Sequence, residues 1–220
     1  MSEKKISNIR EVVWKIIETD VAIKKDISRG ILNIRALANY IISNYKLNAS
    51  IDSVISAIRR YNIAPVRKRD ISDVYSILRK AEIRTIAKMA SMSLKKNEEV
   101  TKMLGRVLPA IDYEGGEVLR VLEGSKLFKI IVDKKSYSKM LDSFKKSDVL
   151  ESNKNISMLE MIYPKELEKV PGVFSVVSNE LGENGISIID ALICSNEHVI
   201  VVAERDVLKA FEVLYNLCSV

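Results

Sequence analysis

The chain has 220 residues, 47% of them hydrophobic, which is enough to bury a real core and to form one to three small domains. Its two cysteines, Cys194 and Cys218, lie far apart and outside any C-x-x-C or Cys/His cluster, so they read as reduced apolar side chains in a cytoplasmic protein rather than as metal or redox groups. The M-S-E-K-K start lacks a following apolar run and no segment approaches the roughly 20 apolar residues of a membrane span, so neither a signal peptide nor a membrane partner is expected.

The net charge of +6 conceals an uneven distribution. Residues 1 to 96 carry 20 Lys+Arg against 9 Asp+Glu, whereas residues 97 to 220 carry 15 against 20. The front of the chain suits a polyanion and the rear does not.

Periodicity predicts three helices in the first 65 or so residues. Ile9 to Thr19 places Ile9, Val13, Ile16 and Ile17 on one face, with Trp14 at its edge. Ile34 to Tyr45 follows Asn33 as a cap and sets Ile34, Leu37, Ala38, Ile41, Ile42 and Tyr45 at helical spacing. Ile51 to Asn62 follows Ser50 and buries Ile51, Val54, Ile55 and Ile58. Its polar face carries Ser53, Ser56, Arg59 and Arg60, and the short joint before it contains Lys46.

Small hydroxyls at one end of a helix and paired arginines at the other suit a DNA major groove and its flanking phosphates. A solvated face of a helical bundle has the same composition. Arg35, Lys46 and the cluster Arg67, Lys68 and Arg69 after Pro65 add positive charge for backbone contacts, the cluster being either a wing-like arm or a linker. The pattern A-I-R-R-Y after the A-L-A-N-Y-I helix resembles the helix-turn-helix of archaeal and bacterial transcription regulators. That resemblance covers under a third of the chain and transfers no base-reading residue.

Asp70 to Ala81 reads as a further helix with Ile71, Val74, Tyr75 and Leu78 on one stripe, serving as a dimer contact, a lever or simple packing. Then come a strand over Arg84 to Leu94, a helix over Asn97 to Ile111, strands over Glu117 to Leu122 and Leu127 to Val132, and a helix over Lys134 to Phe144. The polar stretch Lys145 to Asn155 reads as linker. A second set follows: a strand over Ile156 to Tyr163, a helix over Val170 to Gly185, strands over Ile186 to Cys194 and Val199 to Ala203, and a helix over Glu204 to Leu217. Aligning Lys126 to Phe144 with Glu197 to Tyr215 pairs I-I-V-D with V-V-A-E, each followed at once by a helix of the same apolar phase, as in two tandem units.

The most informative stretch is V-P-G-V-F-S-V-V-S-N-E-L-G-E-N-G-I-S-I-I-D, residues 170 to 190. Pro171 suits a helix start because its φ is already helical, and Gly172 lets backbone approach a small anionic group there. Gly185 ends the helix in the left-handed conformation, and Ile186, Ser187 and Ile188 open a strand at once. An ordinary helix-to-strand turn explains the same residues.

This stretch resembles the ACT domain, the small regulatory module of aspartate kinases and other amino-acid-controlled proteins. The resemblance implies an α+β fold of strand-helix-strand-strand-helix-strand units, homodimeric or higher assembly, and an amino-acid effector. The implied ligand residues are Val170, Pro171, Gly172 and Val173 at one end, and Asn184, Gly185, Ile186, Ser187 and Ile188 at the other. Two departures stand out. Many amino-acid-binding members have Asp or Asn where this chain has Lys169, and Asn where it has Ser187, which alters the groups that would hold a ligand's ammonium. The last set also lacks its closing strand.

His198 is the only histidine and sits where a tight turn enters a strand, a structural or solvated place. Neither G-x-x-x-x-G-K-S/T nor G-x-G-x-x-G occurs, and no nucleophile-base pairing is visible, so no cofactor, metal or catalytic role is expected. The expected architecture is a helix-turn-helix domain over residues 1–66, a linker helix over 67–82 and ferredoxin-like ACT units over 83–150 and 151–220. The expected function is an amino-acid-responsive transcriptional regulator with double-stranded DNA as partner. The alternative is a non-catalytic allosteric regulatory subunit of an amino-acid biosynthetic enzyme.

Overall fold

The computed structural model describes residues 8–61 and 71–219. The chain divides into two compact units, residues 1–70 and 71–220.

Among its described residues the first unit has four helices, α1 (Ile9–Thr19), α2 (Val21–Arg29), α3 (Ile34–Asn44) and α4 (Ile51–Arg59). The expected three-helix count is corrected by α2, which the weak apolar pattern of V-A-I-K-K-D-I-S-R conceals. Its ends were readable: the Asp20 carboxylate accepts from Ile23 N at 3.0 Å, and Gly30 closes the helix at φ +69. Val13, Ile17, Ala38, Ile41 and Val54 form a core with no solvent access. Trp14 Nε1 donates to Ala57 O at 2.9 Å, and Tyr61 packs edge-on against Trp14 while its hydroxyl donates to Glu18. These contacts pin the end of α4 to α1. That helix stops at Arg59, capped at Arg60, so it is shorter than the periodicity predicts.

The second unit opens with α5 (Ile71–Leu78). It continues with β1 (Glu82–Lys95), α6 (Glu98–Val107), β2 (Leu119–Glu123), β3 (Leu127–Asp133) and α7 (Lys134–Leu141). After these come β4 (Val149–Ile162), α8 (Val173–Glu183), β5 (Asp190–Cys194), β6 (Glu197–Ala203) and α9 (Val207–Ser219). All six strands join one antiparallel sheet in the order β2-β3-β1-β4-β6-β5.

The two long strands are shared. Met89 to Lys95 of β1 pairs with β3, while Glu82 to Ile86 pairs with Ile162 to Met158 of β4. Glu82 to Ile86 therefore closes the rear half, supplying it with a strand from before the front half. Reciprocally, Val149 to Asn153 of β4 closes the front half, so the stretch expected to be linker is corrected to strand. Its residues are exposed in consecutive runs, Leu150 to Ser152 and Lys154 to Asn155, so the stretch has no period-2 pattern to mark it as strand.

Each half carries its helices on one face. Met92, Leu94, Ile130 and Val132 pack under α6 and α7; Leu159, Met161, Ile200 and Val202 pack under α8, α9 and α5. The opposite faces meet one another. Met89, Ile131, Ile156, Met158, Val199 and Val201 form a buried cluster of strand residues alone. Arg120 of β2 reaches Glu197 of β6 at 3.7 Å, and Lys129 of β3 reaches Asp190 of β5 at 3.2 Å, across strands that are far apart in sheet order. The sheet is therefore doubled over, giving helix, sheet, sheet and helix layers.

Candidate functional site

Pro171 and Gly172 sit at the start of α8, as the sequence predicts. Gly172 takes φ +94, a conformation in which any Cβ is strained, and this turns the chain from the segment ending at Val170 into the helix. No side chain caps this end, so the first-turn N–H groups of α8 face outward with the positive end of the helix dipole. Val173 is buried in the core beneath, Val170 packs against the same core, and Pro171 is exposed. The arrangement suits a carboxylate or another small anion.

His198 lies just behind this helix start. It is 3% exposed, with its ring 4.7 Å from Tyr163 and 5.5 Å from Phe174, both edge-on. Burial pushes its pKa below the ordinary histidine range, which keeps the imidazole neutral. Its Nδ1 has no hydrogen-bond partner among the described residues. Sequence reading placed His198 at the strand entrance but gave no sign of the aromatic pair, because Tyr163 and Phe174 come from separate elements.

Asn184 to Ile188 lie at the other end of α8. Ile186 N donates to Leu181 O and Gly185 N to Gly182 O, both at 2.9 Å, with Gly185 at φ +72. This is a Schellman closure, and the burial of Ile186 completes it. Lys209 Nζ donates to Asn184 O at 2.6 Å, tying α9 to the closure. Ser187 is exposed and Ile188 half-buried, before β5 rather than inside it. The 11 residues of α8 separate the two groups by about 16 Å, so one copy of the chain does not bring them around one small molecule.

In the first unit, Arg35, Lys46, Ser53, Arg59 and Arg60 are exposed and Ser56 is half-buried. Asp52, Ser53 and Ser56 of α4 and Arg60 at its C-cap line a shallow groove with Arg10 of α1 and Asn8 at its N-cap. Arg10 also stands 5.1 Å over the Trp14 ring. Arg35 lies at the start of α3, and Lys46 occupies the following turn at φ +50. Arg67, Lys68 and Arg69, with the arm they were expected to form, lie outside the described residues. Among the described residues no helix is long and apolar enough to cross a membrane.

The sequence matches no family model and none of the curated proteins. Solved structures do match. Aspartokinase alpha and beta subunits align with 63% of this chain and 97% of theirs at 14% identity and a TM-score of 0.52. The regulatory subunit of aspartate kinase from Thermus flavus aligns with 61% of this chain and 95% of its own at 10% identity and a TM-score of 0.50. Aspartate kinase from Synechocystis aligns over 83% of this chain and 38% of its own at 14% identity and a TM-score of 0.53. At such identities the likeness concerns the fold, which is ACT-like.

Proposed function

We propose that the chain is a non-catalytic allosteric regulatory protein whose second unit accepts an amino acid or a closely related effector. The observation that carries this reading is the pair of doubled-over halves with shared long strands, a fold that the regulatory subunit of aspartate kinase from Thermus flavus also has. Fold alone does not dictate function, so the reading also draws on the site. The uncapped start of α8 offers N–H groups to an effector carboxylate. The other end of the helix offers the exposed Ser187 hydroxyl, but one helix length away.

An effector that engages both ends is therefore held between two copies of the chain, the Pro171–Gly172 end of one against the Ser187–Ile188 end of the other. The exposed apolar side chains Ile189 and Ile193, beside and on edge strand β5, favour such a pairing. Effector binding then shifts the assembly only as far as its affinity differs between two arrangements. Thermal unfolding of the intact chain against the common amino acids tests the reading. A ligand that raises the melting temperature in proportion to its concentration supports it, and a panel without effect refutes it.

A second reading concerns the target of the first unit. The exposed Ser53 and Arg59 of α4 and Arg60 at its C-cap, with Arg10 lining one groove with Ser53 and Arg60, favour DNA, whereas a docking helix for a partner enzyme would expose apolar anchors at those positions. DNA binding that weakens steeply with salt supports this version, and salt-insensitive capture of a partner enzyme supports the other.

A further inference from the structure

The front half of the second unit contains a cavity that the effector site does not use. It lies between the end of α6 and the start of α7, with a volume of about 240 Å³. This lies just below the usual range of ligand cavities, so only a small guest fits. Its floor is apolar, from Val107, Ile111 and Met140. Its rim is cationic: Arg106 comes from α6, and Lys135 and Lys139 from α7.

One carboxylate, Glu117, also lines the cavity, and its oxygens are already engaged. Ser136 Oγ donates to Oε1 at 2.6 Å, Asp112 N donates to Oε2 at 2.9 Å, and Lys135 Nζ stands 3.8 Å from Oε1. These bonds hold Glu117 ionised and fixed, with its pKa below the usual carboxylate range chiefly through Ser136. Arg106 and Lys139 form no ion pair among the described residues. Three exposed cations thus rim an apolar pocket whose one lining carboxylate among the described residues, Glu117, is already engaged. The net positive charge of this rim favours an anionic guest.

We propose that this cavity is a second ligand site, for a small organic dianion with an apolar portion, either a phosphomonoester or a dicarboxylate. The anionic group sits among Arg106, Lys135 and Lys139, where the planar guanidinium gives a two-point contact. The apolar portion lies on Ile111 and Met140. The site belongs to the front half and stands or falls separately from the α8 reading.

The test is titration of the intact chain with phenyl phosphate and with phthalate, followed by the Met140 methyl resonance, with benzylamine as the cationic control. Either dianion is expected to shift Met140 and leave Met158 in the sheet seam unmoved. The double substitution Arg106→Gln/Lys139→Gln is expected to weaken binding by about ten-fold or more. Lys80→Gln/Lys165→Gln removes the same charge from exposed positions elsewhere and is expected to leave affinity unchanged. Response to phenyl phosphate alone assigns the site to phosphate esters; response to phthalate alone assigns it to dicarboxylates. No shift of Met140 by either dianion up to about 10 mM overturns the proposal, as does equal weakening by both double variants, which would mark general charge attraction.

Discussion

Met89 of β1 and Ile156 of β4 face one another at the centre of the sheet, and the pairing around them is symmetric. Superimposing Met89 on Ile156 along the sequence carries Ile86 onto Asn153 and Ser91 onto Met158; the observed pair Ile86–Met158 thereby becomes Asn153–Ser91, which is also observed. A register shift flanks the central pair on each side, with Lys88 at φ +58 in one of the bulges. The shared strands bend there, which lets the two halves face each other.

The halves should therefore unfold together. Ile156→Ala removes a fully buried side chain at this centre and is expected to cost about 3 kcal/mol. Urea unfolding of residues 71–220 should remain a single transition, followed equally by Met140 in the front half and Met161 in the rear half. Two separated transitions would show that the halves are independent.

Arg120 closes the seam by its 2.6 Å contact with Glu160, a residue only 7% exposed. Arg120→Met leaves that carboxylate buried without its cation and is expected to destabilise by about 2 kcal/mol, a modest figure because Arg120 is itself partly solvated. Arg120→Met with Glu160→Leu should regain most of the loss. A double-mutant cycle with no coupling would contradict the seam assignment.

His198 gives a pH dependence of known sign. Its folded pKa lies below the unfolded value of 6.5, so both states are neutral above that value and the stability contribution is complete there. As pH falls below 6.5 the unfolded chain takes up the proton first, and stability declines. His198→Phe should flatten the urea midpoint between about pH 7.5 and pH 5. An unchanged slope would place the titrating group elsewhere.

Much of this organisation was legible. The Asn97 and Asn33 caps, the Pro171–Gly172 helix start and the Gly185 closure each act through local backbone chemistry, so the sequence displays them directly. The α2 helix is hard to read from sequence although Asp20 and Gly30 mark its ends, because Ile23, at 9% exposure, is its one buried side chain. Strand sharing was not legible: that Glu82 to Ile86 completes the rear half depends on pairing with residues far along the chain. For the same reason the cluster of His198, Tyr163 and Phe174 and the rim of Arg106 and Lys139 emerge only once the elements are assembled.

Gly172 links fold and site. At φ +94 a Cβ is strained, so Gly172→Ala should cost roughly 1 kcal/mol and tilt the first turn of α8. Its thermal midpoint should fall modestly while effector affinity falls further. Proportionate losses in both would mean that the helix start has no ligand role.

The most direct measurement is calorimetric titration of the intact chain with each common amino acid, in parallel with its Gly172→Ala variant. The account predicts saturable binding of at least one amino acid to the unaltered chain, weakened by about ten-fold in the variant. No heat of binding from any amino acid up to about 10 mM, or binding that Gly172→Ala leaves intact, would contradict it.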